Sequence, residues 1–217
     1  MGALVMKLFD QDGKLDEDVQ DALYELGNVG VGMASITIGR ILGVRVELAA
    51  PNVVPVAEVS DQTLLANVGQ DQAGIWMRFA KPMNGAVLFI LDRSFVYDVV
   101  EKMTGRRKEG NELYTDEIAF TSVTEFANML SAAYMKAVGK YTGMRIFVSP
   151  YLFVMDQQQI SLGDMQQAPD PVAGQAVWVE TQFQLLDEDG GQTHAVGRVV
   201  MLPDDDTVGM LMEALGL

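Results

Sequence analysis

The chain has 217 residues, 49% of them hydrophobic, with 15 lysines and arginines against 30 aspartates and glutamates, a formal net charge of −15. That length and apolar content suffice for a sizeable core, and the acidic balance argues against nucleic acid and against anionic membrane surfaces as partners. With no cysteine, and with His194 as the single histidine, disulfides, thiol nucleophiles and histidine metal clusters are excluded.

The opening "MGALVMKLFDQDG" is too short an apolar run for a signal peptide, and no stretch of about 18 apolar residues occurs to span a bilayer, so the expectation is a soluble, cytoplasmic protein. Residues 17–43 carry a helix pattern interrupted by glycines and closed by Gly43. The period then changes to two: "VRVELAAPNVVPV" and "AGIWMRFAKP" read as strands, and "NGAVLFILD" follows an Asn84-Gly85 pair of the kind that closes tight hairpins. Ser94 is placed to cap a helix through Met103 that stops at Gly105. The polar "GRRKEGNELYTD" reads as a linker. A second long helix is expected over about Thr115 to Val138, followed by strands in "MRIFVSPYLFVMD", "VWVETQFQLLD" and "THAVGRVVML", and by a short helix in "DDTVGMLMEALGL". His194, alone in one of these strands, is read as structural.

Each half is thus a long helix, about three strands and a short helix, an order that suggests duplication. Aligning the long helices sets Glu25 and Asn28 against Glu125 and Asn128, and Asp21 against Thr121, each 100 positions apart. At about 100° per residue, positions i, i+4 and i+7 fall within about 60° of one another, so Asp21, Glu25 and Asn28 form one stripe and Thr121, Glu125 and Asn128 another. Leu23 and Leu26, and Val123, Phe126 and Leu130, lie roughly opposite and face the core. An exposed carboxylate and carboxamide one turn apart offer an anion and a neutral donor and acceptor on a rigid support. Such a pair suits insertion into another molecule's site better than formation of a pocket.

Other signals are weaker. "GNVGVG" lacks a preceding strand, the dinucleotide-binding glycine spacing and the P-loop lysine, so it is not read as a phosphate cradle; Gly27, Gly30 and Gly32 are expected to permit close approach or a helix break, clearing the way for a partner. "DQDG" and "DEDG" do not continue as calcium loops and read as solvated turns. The fourteen methionines and the terminal "MLMEALGL" read as core filler.

"DALYELGNVGVGMAS" resembles the D/S-x-x-x-E-x-x-N signature of the CheC/CheX/FliY phosphatases of bacterial and archaeal chemotaxis, and "TSVTEFANMLSAAY" resembles its second copy. The likeness extends through "APNVVPV" and the strands before Ser94. Two copies point to the CheC type within the family, and no flagellar-switch domain follows in this chain. Thr121 departs from the acid or serine of the signature, and "MLSA" replaces the glycine-containing "VGVG" after Asn128.

The resemblance implies a single α/β (α+β) domain over residues 1–217, internally duplicated as about 15–105 and 113–217. Its sheet would be mostly antiparallel, with two long signature helices and two shorter ones. It implies hydrolysis of the aspartyl phosphate of a CheY-like response regulator, with Asn28 and Asn128 orienting water, Glu25 and Glu125 pairing with a regulator lysine, and Asp21 and Thr121 in support. No cofactor of its own is implied, since the regulator supplies the aspartate and Mg²⁺. The deamidase CheD is a further partner that the resemblance implies. The other readings are a non-catalytic adaptor that binds the regulator or CheD, and an acidic structural component of the flagellar switch.

Overall fold

The computed structural model describes residues 8–9, 14–58, 72–110, 112–148, 152–155, 158–161, 177–186 and 192–217. Two helices of 26 residues dominate, α1 (Glu17–Leu42) and, later in the chain, α4 (Glu117–Thr142). Their ends are built alike. Asp16 accepts a hydrogen bond from the Asp18 amide at 3.0 Å, and Asp116 accepts from the amides of Ile118 and Ala119, both at 3.0 Å, satisfying donors that a helix start leaves unpaired. At the other end Gly43 (φ 74°) and Gly143 (φ 72°) adopt the left-handed conformation that stops the helix.

Between and after these helices run β1 (Arg45–Leu48), β2 (Asn52–Pro55), β3 (Gln72–Arg78), β4 (Gly85–Asp92), α2 (Arg93–Thr104), the single turn α3 (Glu112–Thr115), β5 (Leu152–Met155), β6 (Gln158–Ser161), β7 (Val177–Leu186), β8 (Gln192–Pro203) and α5 (Asp205–Leu215). Eight strands form one antiparallel sheet in the order β1-β7-β8-β4-β3-β5-β6, with β2 also pairing β7. β4 and β8 meet at its centre, in register from Gly85 opposite Pro203 to Leu91 opposite Gly197. Strands of the first half pair with strands of the second on both flanks, β1 and β2 with β7 and β5 with β3.

This is the expected mixed α/β architecture with a mostly antiparallel sheet, two long helices and two shorter ones. The continuous apolar run of β4 follows from its place at the centre, buried on both faces. Val87, Phe89 and Leu91 join a large core with Leu23, Leu26, Phe126, Leu130 and Tyr134 from the long helices; Leu88 and Ile90 join a second cluster with Trp76, Trp178, Val200 and Leu202 on the opposite face. Phe95, Val208 and Leu211 from the shorter helices belong to the same core as the long helices, so all four cover one face of the sheet.

Three local expectations are corrected. Asn84-Gly85 does not form a two-residue hairpin: Phe79 donates to the Gly85 carbonyl at 3.0 Å across a longer loop. Asn84 instead joins that loop to the start of α5, donating to Asp204 at 2.8 Å and exchanging two bonds with the Thr207 hydroxyl, 2.7 and 2.8 Å. Ser94 lies inside α2, whose N-cap is Asp92. The polar stretch after Gly105 is no free linker. Arg107 pairs with Asp98 at 2.7 Å, with Glu101 at 3.1 Å and with Glu109, Lys108 reaches Glu112 (3.2 Å) and Asp116 (3.1 Å), and the Gly110 amide donates to Tyr97 at 3.0 Å. These acceptors hold the Arg107 guanidinium above its ordinary value, Glu109 contributing most. The charges of this stretch fasten the connection to α2 and to the start of α4. "DQDG" and "DEDG" lie outside the described residues, and of His194 only the backbone, in β8, is described.

Candidate functional site

Helical periodicity and the matched caps put the two stripes on corresponding turns of α1 and α4. Asp21, Glu25, Thr121, Glu125 and Asn128 are exposed, and Asn28 is half-buried. Leu23, Leu26, Val123, Phe126 and Leu130 are all buried on the sides facing the sheet. The two helices also pack against each other. Among the described residues none of the side chains of Glu25, Asn28, Glu125 or Asn128 has an intramolecular hydrogen-bond or ion-pair partner. Each helix therefore holds an unengaged carboxylate and carboxamide about 4.5 Å apart along its axis, on a support that cannot collapse around them.

The glycines after Glu25 do not share one role. α1 runs unbroken through them. A β-carbon at Gly27 would sit 3.1 Å from Val179 and 3.2 Å from Pro51, and one at Gly30 would sit 2.5 Å from the Tyr134 ring of α4. Both are small because this protein's own side chains occupy the space. Only at Gly32 would a β-carbon meet nothing within 4 Å, so only Gly32 can ease a partner's approach. The second helix shows the converse, with Leu130 and Tyr134 at the positions matching Gly30 and Ala34. Gly30 on α1 thus faces the ring of Tyr134 on α4.

The stripes also run further than the E-x-x-N spacing names. Extending the series by two turns reaches Ile36 on α1, 47% exposed, and the exposed Lys136 on α4. Met33, beside Ile36, is 40% exposed. An open depression between the start of α1 and β2, bordered by Lys14, Gln20 and Val53, contains none of the stripe residues. Among the described residues no three carboxylate or histidine side chains gather as a metal site, and no helix is long and apolar enough to cross a membrane.

The antiparallel sheet is covered on one face by two long helices, and each displays a Glu/Asn pair whose side chains have no partner among the described residues. No family model matches the sequence. Individual proteins do: the CheY-P phosphatase CheC of Bacillus subtilis is 21% identical over 205 residues, 93% of this chain and 96% of that protein. The crystal structure of Thermotoga maritima FliY superposes with a TM-score of 0.63 at 20% identity, covering 93% of this chain and 98% of that one. A CheX from Borrelia burgdorferi, solved in complex with CheY, BeF3 and Mg²⁺, superposes with a TM-score of 0.51 at 14% identity over 82% of this chain and 97% of that one. The chain is homologous to CheC and FliY, and it shares the fold of the CheC/CheX/FliY family.

Proposed function

We propose that this protein hydrolyses the aspartyl phosphate of a CheY-like response regulator, using both stripes. Each glutamate pairs with a lysine of the regulator and fixes the docking angle. Each asparagine accepts a hydrogen bond from a water molecule through its carbonyl and holds it in line with phosphorus. The water oxygen forms the new bond to phosphorus as the bond to the aspartate oxygen breaks, releasing inorganic phosphate and restoring the carboxylate. In the loose transition state of phosphoryl transfer little bond making is required of the protein, so positioning and charge supply most of the effect. The Mg²⁺ belongs to the regulator, as part of the substrate.

The observation that supports this reading most directly is the pair of unengaged Glu/Asn stripes on matching turns of two equal helices. Similarity to a CheY-P phosphatase over nearly the whole chain gives independent support. Two such helices in one fold further suggest a duplicated domain, one site per repeat.

The test is phosphate release from a purified, phosphorylated CheY-like regulator with the wild type, Asn28→Ala, Asn128→Ala and the double variant. The wild type accelerates release. The double variant loses that acceleration, by roughly a hundredfold or more for a removed positioning group, while its circular dichroism is unchanged. Undiminished acceleration in the folded double variant would overturn the mechanism, and binding without acceleration by the wild type would favour an adaptor.

A further inference from the structure

Beyond the two Glu/Asn pairs, matching positions carry opposite chemistry. Eleven residues make about three turns plus 20°, so Ile36 lies in line with Glu25, and Lys136 in line with Glu125, about 16 Å further along each axis. Ile36 is 47% exposed and has the exposed Met33 beside it. Lys136 is exposed, is flanked by Ala132 and Ala133, and has no ion-pair partner among the described residues. One turn further on, Arg40 and Lys140 are both exposed cations, so the contrast is concentrated at Ile36 and Lys136. A protein docked over a Glu/Asn pair covers roughly 800 Å² on each side, a patch wide enough to reach them.

We infer that the two sites are tuned to different regulator surfaces, with Ile36 and Lys136 as the specificity-determining residues. The α1 site takes an activated receiver domain that is apolar where it meets Ile36 and Met33. The α4 site takes one that is acidic where it meets Lys136, since an exposed isoleucine is best covered by apolar surface and an unpaired ammonium by a carboxylate. This rests on the proposal that both stripes dock such receivers. It adds that the docking is unequal, through residues outside the catalytic pair.

The experiment titrates a CheY-like receiver that is acidic on the surface meeting position 136, held active by beryllofluoride and Mg²⁺, into two forms of the full chain. Glu25→Arg/Asn28→Ala leaves the α4 site, and Glu125→Arg/Asn128→Ala leaves the α1 site; Kd is measured at low and high salt. Long-range effects of the −15 net charge act on both forms and cancel in the comparison. The α4-only form loses affinity with salt more steeply than the α1-only form, by about two- to fivefold, the scale of one exposed ion pair. Lys136→Ile removes that excess and Ile36→Lys confers it on the other form.

Equal salt dependence in the two forms, or exchanges that transfer nothing, would overturn the inference. Phosphate release is followed in parallel with the phosphorylated receiver. The binding asymmetry without release would leave the inference standing and overturn the phosphatase reading, whereas release with equal salt dependence would overturn the inference alone.

Discussion

Replacing Gly30 and Gly32 by alanine, two residues apart on one helix, should change stability in opposite directions. In a helix interior alanine is favoured over glycine by about 1 kcal/mol. At Gly32, where a β-carbon would meet nothing within 4 Å, that gain is undiminished. At Gly30 the β-carbon would lie 2.5, 2.7 and 2.9 Å from Cε2, Cζ and Cδ2 of Tyr134, about 1 Å inside the contact distance of carbon atoms.

The Tyr134 ring cannot swing clear without disturbing its surroundings. It is 1% exposed and stands edge-on to Phe89 of the central strand, with centroids 6.2 Å apart. Overpacking of this kind costs about 1–3 kcal/mol, so the net loss for Gly30→Ala is about 1 kcal/mol and the two variants differ by about 2. Thermal unfolding followed by circular dichroism should place Gly32→Ala above the wild type and Gly30→Ala below it, separated by roughly 4–8 °C for a chain of this size. In the Gly30→Ala background, Tyr134→Leu removes the clashing ring, so the double variant should be more stable than the sum of the single changes. Gly30→Ala at or above Gly32→Ala would refute the packing explanation.

Asp204 caps α5 by accepting from the Thr207 amide at 2.9 Å and also accepts from Asn84 at 2.8 Å. Partial burial raises its pKa, but the bonds from Thr207 and Asn84 outweigh this and hold the carboxyl below its ordinary value. Its stabilising contribution is therefore complete above about pH 4 and is lost as the pH falls through the lower folded value. Urea midpoints of wild type and Asp204→Asn between neutral and strongly acidic pH should converge only at the acid end, and Asp204→Ala should cost about 1 kcal/mol at neutral pH. Thr181 is 1% exposed and its hydroxyl has no hydrogen-bond partner among the described residues, so Thr181→Val should stabilise by about 1 kcal/mol, read from the same denaturant midpoints.

The amino-acid order alone determined what depends on neighbours within a few turns. The long helices, their stop at Gly43, the strand character of the central segments and the exposure of Glu25, Glu125 and Asn128 all follow from periodicity and end signals that act within about ten residues. The second E-x-x-N, a hundred positions on, drew attention to the first because repetition is visible without coordinates.

Tertiary structure decided everything that depends on which distant residue fills a given space. The glycines after Glu25 look alike in the sequence, yet one lies beneath a tyrosine of the other long helix, one against Pro51 and Val179, and one is open. Asn84-Gly85 has the composition of a tight turn, but its asparagine is engaged by Asp204 and Thr207 from the far end of the chain. The charged stretch after Gly105 became an anchored connection once Asp98, Glu101 and Asp116 were in reach of its cations. Local propensity is a property of the backbone and can be read along the chain, whereas steric fit and polar satisfaction depend on contacts between segments that only folding brings together.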